Sequence, residues 1–555
     1  MTCLQVVPTP VVKSNCMKKA TPITGPASTS PELYLPGLLL KQEPSQKNFF
    51  TYLYVENKIY SILILLLLIM QFVAFKYFYP FPDFFSDSYS YISTAYYHLN
   101  VNIWPIGYSK FLALFHSFTH SATALNFFQY IFLETAALYF YHTLVYFYPT
   151  GKNTRMILCI FLFFNPLNLY LANYVSSDAI FIGLSLIWLT QLIWIIQRPR
   201  PYQIVVLTLV FFIAFTFRYN AMFYPVIAAA AFLVSKQSLW FKLTGIIAGP
   251  LLIIPFIIFS SNAAKKMTGT AQFPPILGGW QWGNNALYMR GFIEEDSTAF
   301  PTPETAELDR IARNYFSQPS RPQDQLFSYV ANFFIRQPEA PLKQYMQKKY
   351  GETNDYYTMV QQWGKVAPVF GQYGLYLIKR HPLAYARYYL LVNTKNYFLP
   401  PLEKLEIYNL GSDEIWPIGV YWFGYNGPKL TVFSKTLQGN LLIIYTAIFA
   451  ILNLYFTVAL TFFIRRKGFK KSQRHFKITI SLVSAFLFLN FIFSVFANII
   501  VIRYQVFPMI IFLSFTMLLT DYLEWALNGR KKQSGQERTS DKSQDVSRTF
   551  QPEIS

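Results

Sequence analysis

The stretch from Phe81 to Tyr108 reads FPDFFSDSYSYISTAYYHLNVNIWPIGY and follows an apolar run that begins near Ile59. It carries two carboxylates, Asp83 and Asp87, in a chain where 27 acidic residues stand against 47 lysines and arginines. Aromatic side chains flank both acids. Because charged groups near a membrane are costly to place and usually serve a partner or a function, this stretch predicts a functional loop at a membrane surface.

The composition is typical of a membrane protein with many spans. Of the 555 residues, 53% are hydrophobic and only 13% are charged. Apolar runs of about 20 residues recur, which is the length that a helix needs to cross a hydrocarbon core of about 30 Å. We therefore predict a mainly α-helical, polytopic membrane protein with about ten transmembrane helices and one large α-rich extracytoplasmic domain.

The predicted spans fall into two membrane modules around a hydrophilic segment. They are Ile59–Tyr79, Ala124–Tyr148, Met156–Asn173, the run between Asp178 and Arg198, Tyr202–Phe217, Ala221–Val234, Leu243–Ser260, Leu441–Ile464, Ile478–Ile500 and Val506–Leu523. The predicted parts are an N-terminal module at 58–260 with a first external loop at 80–121, an extracytoplasmic domain at 261–438 and a C-terminal module at 439–525. The third span is interrupted at Asn165-Pro166, and the sequence leaves open whether the short fifth and sixth spans cross fully.

Lysines and arginines concentrate in short loops between spans, above all from Arg465 to Lys477, where there is no acid. Under the positive-inside rule these loops are cytoplasmic. The polar tails 1–57 and 526–555 are predicted to be disordered and to lie on the same side. Loop 80–121 and segment 261–438 then face the other side. These basic loops account for the net charge of +20, so no nucleic-acid partner is predicted.

Asp87 is the first candidate for catalysis and Asp83 the second. A carboxylate at a membrane face can act as a general base and accept the proton of a hydroxyl group. A helix beginning within SDSYSY offers a structural alternative, because Ser86 or Asp87 would then cap its first turn. The residues alone leave both roles open for Asp87, whereas Asp83 follows Pro82 and is more typical of a turn.

Arg218 and Arg503 lie where apolar spans meet the predicted external face, where the positive-inside rule leads us to expect no arginine. Since a guanidinium can grip a phosphate in bidentate fashion, both are candidates for binding a phosphate leaving group. Snorkelling or pairing with Asp178 is the structural alternative, and Asp178 itself can act in the site or cap its helix. Further candidates on this face are Arg290, Lys265 and Lys266 for phosphate, and Tyr219 and Tyr504 beside the two arginines.

No cofactor and no metal are expected. The six histidines and three cysteines show no ligand spacing, and the chain has no phosphate-binding glycine loop. Glu134 within the second span is either a functional group or a neutral, hydrogen-bonded acid. Because an external active site lacks nucleotide sugars, the sequence favours a lipid-linked donor.

Together these motifs resemble the GT-C fold glycosyltransferases, above all the dolichyl-phosphate-mannose protein mannosyltransferases and bacterial relatives such as the lipid A aminoarabinose transferases. The likeness covers about residues 55–525. It rests on the acids after the first span and on Trp104-Pro105-Ile106-Gly107-Tyr108, Asn165-Pro166, Ser177-Asp178, Arg218-Tyr219 and Arg503-Tyr504. Gly279-Trp280-Gln281 and Asn284-Asn285-Ala286 resemble the start of the external domain in bacterial members.

The resemblance implies an enzyme of the bacterial inner (plasma) membrane and cell envelope, with its active site facing outward. Such an enzyme moves a sugar from a polyprenyl-phosphate donor to a hydroxyl of a glycan, lipid or protein acceptor, with inversion. Asp87 would be the base, with Asp83 in reserve, and Arg218 and Arg503 would stabilise the phosphate. Where the mannosyltransferases have an Asp-Glu pair this chain has Asp-Ser, so the sugar and the acceptor stay open.

Two other functions fit parts of the pattern. A lipid-linked glycan polymerase or ligase also combines many spans, a large external loop and arginines, but it does not require acids directly after the first span. A lipid-linked glycan transporter or flippase favours paired halves and broken helices near the midplane, to which Asn165-Pro166 and Glu134 give slight support.

Overall fold

The fold was analysed in a computed structural model, which describes residues 48–148, 150–296, 299–318 and 332–525. The described chain is mainly helical, as predicted. Within it, seven helices are long and apolar enough to cross a membrane: Lys58–Phe78, Lys152–Asn173, Asp178–Gln197, Leu239–Thr268, Leu437–Arg465, Arg474–Ala497 and Val506–Trp525. Their length and composition indicate a membrane protein.

Helices also occupy the other three predicted spans. Ala122–Phe147 covers the second, Tyr202–Phe217 the fifth, and a 3-10 turn at Tyr219–Phe223 followed by Tyr224–Val234 covers the sixth. The last two belong to the shorter apolar helices, with fewer residues than a full crossing needs. The total of ten spans and the sides of the membrane therefore stay predictions.

The break predicted in the third span is present. One helix ends at Phe163 and the next begins at Pro166, because a proline has no N–H to donate and its ring clashes with the preceding turn. Asn165 caps the second helix, with its Oδ1 accepting a hydrogen bond from the N–H of Leu167 at 3.0 Å. The helix then ends at Asn173, whose carbonyl accepts from the backbone N–H of Asp83 at 3.0 Å. The break thus brings the chain back against the loop that follows the first span.

The predicted first external loop is largely helical. Ser86–Tyr96 and Gly107–His116 are helices, and the residues before and between them form irregular turns. The first helix is buried along most of its length although it is rich in serine and tyrosine. A polar, buried helix requires partners for its hydroxyl groups. Tyr356 of the hydrophilic segment supplies one, with its hydroxyl 2.9 Å from those of Ser90 and Thr94.

The hydrophilic segment is also helical. Its helices include Leu277–Arg290, Pro303–Phe316, Pro341–Tyr350, Tyr356–Arg380 and Leu391–Phe398, with a 3-10 turn at Glu403–Leu405. Two of these helices, Leu277–Arg290 and Tyr356–Arg380, cross closely at Gly279. A Cβ atom at this position would lie only 1.8 Å from the carbonyl oxygen of Ala367. This crossing buries Trp280 completely.

One predicted boundary is wrong. Residues 48–57 were predicted to belong to a disordered tail, but Phe49–Thr51 and Tyr52–Glu56 are helical. The ring of Phe49 packs 5.1 Å from that of Tyr146 and 5.0 Å from that of Trp194, centroid to centroid, so aromatic burial orders this stretch. The rest of that tail and the tail at 526–555 lie outside the described residues.

Candidate functional site

A cavity of about 790 Å³ opens where three parts of the chain meet. The helix Ser86–Tyr96 supplies one wall, the hydrophilic segment a second, and residues 498–504 before the last apolar helix a third. Charged residues in its lining are Asp87, Arg336, Lys343, Asp355, Glu403, Lys404 and Arg503. The volume lies within the range of about 300–1,000 Å³ that is usual for ligand pockets.

Asp87 lies in this wall and does not cap its helix. The helix begins at Ser86, and the N-cap position belongs to Phe85, with no side-chain cap bond. Instead, the Oδ2 of Asp87 accepts a hydrogen bond from the Nζ of Lys404 at 2.7 Å and lies 3.7 Å from a guanidinium nitrogen of Arg503. Within the described part of the chain, its Oδ1 has one weak contact, from the Oγ of Ser86 at 3.4 Å. One carboxylate oxygen is therefore held and the other is nearly free.

Arg503 is the centre of the charged cluster. Its guanidinium nitrogens lie 3.2 Å from Asp178, 3.4 Å from Glu403 and 3.7 Å from Asp87, and one of them donates to the hydroxyl of Tyr504 at 2.8 Å. The Nε of Arg503 and the Oε2 of Glu403 face each other at 3.4 Å as an ion pair that does not reach hydrogen-bond geometry. Arg503 is therefore shared among three carboxylates and lines the cavity beside Asp87.

Asp178 and Arg218 form a second layer behind the wall. Asp178 accepts a hydrogen bond from the Oγ of Ser176 at 2.7 Å and forms an ion pair with Arg218 as well as with Arg503. The guanidinium of Arg218 stacks over the ring of Tyr504 at 4.6 Å. The pairing of Arg218 with Asp178, which the sequence left open, is present. Neither residue lines the large cavity, so Arg218 lies behind Arg503 and is not beside it at the surface.

Sequence reasoning missed Glu403 and Lys404. They lie in a short 3-10 turn after Pro400-Pro401, and an adjacent acid and base in a hydrophilic segment gave no signal of burial. Burial lowers the pKa of Lys404 below its ordinary value, against the opposing effect of Asp87 and Glu403. Glu403 adopts a positive φ of 56°, which costs energy in a non-glycine residue and persists only where the surroundings hold it.

Asp83 lies apart from the cluster. Its side chain is buried outside the cavity lining, and its Oδ1 accepts a hydrogen bond from the backbone N–H of Asn409 at 2.8 Å. Burial raises the pKa of this carboxyl to about 7. No lysine, arginine or histidine pairs with it among the described residues. Asp83 therefore anchors the loop to the hydrophilic segment, and the structure separates it from the proposed base.

Arg290, the third candidate for binding phosphate, lies outside this cavity lining. Its Nε and Nη2 donate to the two carboxylate oxygens of Asp309 at 2.6 and 2.9 Å, and its Nη1 donates to the carbonyl of Ile293 at 2.9 Å. Its side chain is 4% exposed and does not line the cavity. Tyr219, another candidate from the sequence, packs against Phe273 with 5.0 Å between ring centroids.

Aromatic side chains complete the lining. The ring of Trp416 stacks on that of Tyr89 with 4.5 Å between centroids and stays 58% exposed. Both line the cavity beside Asp87, and Trp104 of the predicted motif lines it as well. Glu134, by contrast, is buried among the membrane helices and accepts a hydrogen bond from Asn168 at 3.0 Å.

Comparison with known proteins adds no assignment. No family model matches the chain, and neither does any curated protein or solved structure.

Proposed function

We propose that this protein is a membrane glycosyltransferase that moves a sugar from a polyprenyl-phosphate donor to an acceptor hydroxyl, with inversion at the sugar carbon. The reaction takes place in the cavity lined by Asp87, Lys404 and Arg503. We place the cavity on the extracytoplasmic side of a bacterial plasma membrane, because the basic loops predict the opposite side as cytoplasmic. The donor, the acceptor and the GT-C assignment all belong to this proposal.

The observation that carries the proposal is the joint placement of Asp87 and Arg503. Within the described residues the Oδ1 of Asp87 has one weak contact, and Arg503 lies at the same cavity wall, shared among three carboxylates at 3.2–3.7 Å. A displacement at a sugar carbon needs both groups: a base for the attacking hydroxyl and a donor for the oxygen that leaves.

The chemical step follows from these roles. The acceptor oxygen forms a bond to the sugar carbon as the bond from that carbon to the phosphate oxygen breaks. The proton of the acceptor hydroxyl moves to Asp87. The charge that develops on the leaving phosphate is met by Arg503 and Lys404, which are already fixed in place and need no reorganisation.

Arg218 and Asp178 act through Arg503. The side chain of Asp178 is 3% exposed, and it contacts Nη1 of Arg503, whereas Asp87 lies nearest to Nη2. Arg218 forms an ion pair with the other carboxylate oxygen of Asp178. We therefore assign these two as positioning residues, whereas the exposed face of Trp416 offers an apolar platform for a sugar ring.

The first test is the Asp87→Asn variant in purified, membrane-reconstituted protein. Transfer from a polyprenyl-phosphate sugar should fall by roughly 100- to 10,000-fold, because the amide cannot accept the proton. Asp413→Asn is the control, since the Asp413 side chain is 82% exposed and lies outside the cavity lining. Wild-type turnover in Asp87→Asn would remove Asp87 from the mechanism, and wild-type protein that transfers no such sugar would end the proposal.

The side of the membrane has its own test. In a chain whose three cysteines are replaced, Ser86→Cys and Lys470→Cys introduce single thiols at the cavity rim and in the most basic loop. A membrane-impermeant thiol reagent applied to intact cells should label the first and spare the second. Labelling of both, or of the second alone, would contradict the proposed orientation.

A further inference from the structure

The cavity has a second charged region, at Lys343. This lysine belongs to the helix Pro341–Tyr350, and its Nζ lies 4.0 Å from the ring centroid of Trp363 and 5.5 Å from that of Trp280. No carboxylate pairs with it, and no hydrogen bond reaches it, among the described residues. Burial lowers the pKa of Lys343 to about 8. An ammonium at neutral pH therefore faces the cavity with two aromatic rings and no counter-charge from the described chain.

The other cations of the wall differ from Lys343. Lys404 and Arg503 contact carboxylates of the buried cluster, and a guanidinium nitrogen of Arg336 lies 3.6 Å from an oxygen of Glu403. Four cations and three acids line the cavity among the described residues. Asp355, the cavity-lining acid nearest to Lys343 in sequence, is engaged as a helix cap and accepts from the N–H of Thr358 at 2.8 Å. The uncompensated positive charge is thus that of Lys343.

Two independent features of the same region favour an anion. Lys343 lies in the first turn of its helix, where the dipole opposes a cation and favours a negative charge, and the N-cap residue Ala340 offers no side-chain acceptor or charge. The indole Nε1 of Trp363 is buried and has no hydrogen-bond partner among the described residues. Trp363 is 7% exposed and lines the cavity. The indole N–H therefore has no acceptor, and the ammonium has no counter-charge, among the described residues.

We propose that Lys343 and Trp363 form an anion-binding subsite that holds a negatively charged group of the acceptor. The chemistry that fits is the carboxylate of a uronic acid or the phosphate of a phosphorylated sugar, because each can pair with an ammonium and accept from an indole N–H. Anion binding at this subsite does not depend on catalysis. The identification of the bound molecule as the acceptor rests on the proposed glycosyltransferase function. The region near Arg503 would then receive the donor phosphate and the region near Lys343 the acceptor.

The test is residue-level acylation of lysines in the full-length, reconstituted protein. Acetic anhydride reacts with neutral amines, and mass spectrometry of the digested protein reports the rate at Lys343. Three probes are compared: glucuronate, glucose 1-phosphate and glucose. Lys365 is the matched control, because its Nζ also lies over an aromatic ring, 5.6 Å from the centroid of Tyr350, but it is exposed and outside the cavity lining.

We expect the acylation rate of Lys343 to fall several-fold with glucuronate or glucose 1-phosphate and to stay unchanged with glucose. Stronger protection by glucuronate would identify a carboxylate as the preferred group, and stronger protection by glucose 1-phosphate would identify a phosphate. Equal rates with and without both anions would overturn the subsite. Protection of Lys404 without protection of Lys343 would overturn it too, because the anion would then occupy the proposed donor region. The proposed glycosyltransferase function is tested separately, and it fails if wild-type protein transfers no sugar.

Discussion

Arg290 and Arg503 are both buried arginines that face aspartates, yet their surroundings differ. Arg290 forms a closed pair in which three of its nitrogens donate at 2.6–2.9 Å, two of them to the carboxylate of Asp309. Arg503 divides its guanidinium among three carboxylates at 3.2–3.7 Å, and its Nε lies 3.4 Å from Glu403 without forming a hydrogen bond. The first arrangement is a short bidentate pair away from the cavity, and the second is a longer, shared set of contacts at the cavity wall.

The difference shows how an arginine that stabilises the fold can be distinguished from one that can bind a ligand. Both kinds look alike in a sequence, where a guanidinium next to an apolar or aromatic stretch is the only signal. The number of donors that the protein itself satisfies is a property of the packed structure. A closed bidentate pair stabilises the fold, whereas a shared and incompletely satisfied guanidinium can exchange a contact for a ligand oxygen.

Of the two arginines, Arg503 should have the larger effect on turnover when replaced by alanine. Loss of the donor that faces the leaving phosphate should lower turnover by roughly 100- to 1,000-fold, the usual result of removing one transition-state hydrogen bond. Arg503→Lys keeps a charge but not the planar fork, so it should recover only part of the activity. The measurement is single-turnover transfer from a polyprenyl-phosphate sugar, corrected for folded protein. Wild-type turnover in both variants would show that Arg503 has no part in the reaction.

Arg290→Ala should affect stability and spare turnover. Breaking the buried pair leaves Asp309 without its main cation and should cost about 3–5 kcal/mol of folding free energy. Turnover per folded molecule should match wild type, because Arg290 does not line the cavity. Thermal unfolding and transfer assays on the same preparation measure the two quantities.

The control for Arg290 is the paired replacement Arg290→Met with Asp309→Leu. Replacing both partners by apolar side chains of similar size often restores the stability lost when one partner alone is removed. A fall in turnover of the folded Arg290→Ala protein comparable to that of Arg503→Ala would erase the distinction between the two arginines.

The smallest effect concerns Asp83, a buried acid with no cationic partner among the described residues. Its pKa is raised to about 7 in the folded protein, against about 4 for a free aspartate. Between these values the folded state keeps a proton that the unfolded state has lost, so stability falls as pH rises through the window and levels off above about 7. The neighbouring Tyr174 and Tyr408 do not titrate there, since burial raises the pKa of each well above its ordinary value.

Asp83→Asn should flatten this dependence. The unfolding midpoint of wild type should drop more between about pH 4.5 and pH 7.5 than that of the variant, because the amide does not ionise within the window set by these pKa values. Asp413→Asn, at an exposed site, should follow wild type. An unchanged pH dependence in Asp83→Asn would mean that another group controls it.

Part of the site could be predicted from the sequence. Asp87, Asp178, Arg218 and Arg503 were singled out because charged residues at the ends of apolar spans are unusual, and the structure brings all four into contact. Their chemical roles stay predictions. Asp83 and Arg290 carried the same kind of signal and lie elsewhere, because residue type and span position do not report which neighbours satisfy a side chain.

What the sequence determined by itself is the mainly helical membrane character and the break at Asn165-Pro166, since hydrophobic length and the missing N–H of proline are local properties. Only the tertiary structure decided that Lys404 and Glu403 join the cluster, that Arg290 is closed by Asp309, and that Lys343 faces the cavity uncompensated. These facts depend on contacts between residues far apart in the chain. Such contacts are set by packing, and no local pattern of residue types encodes them.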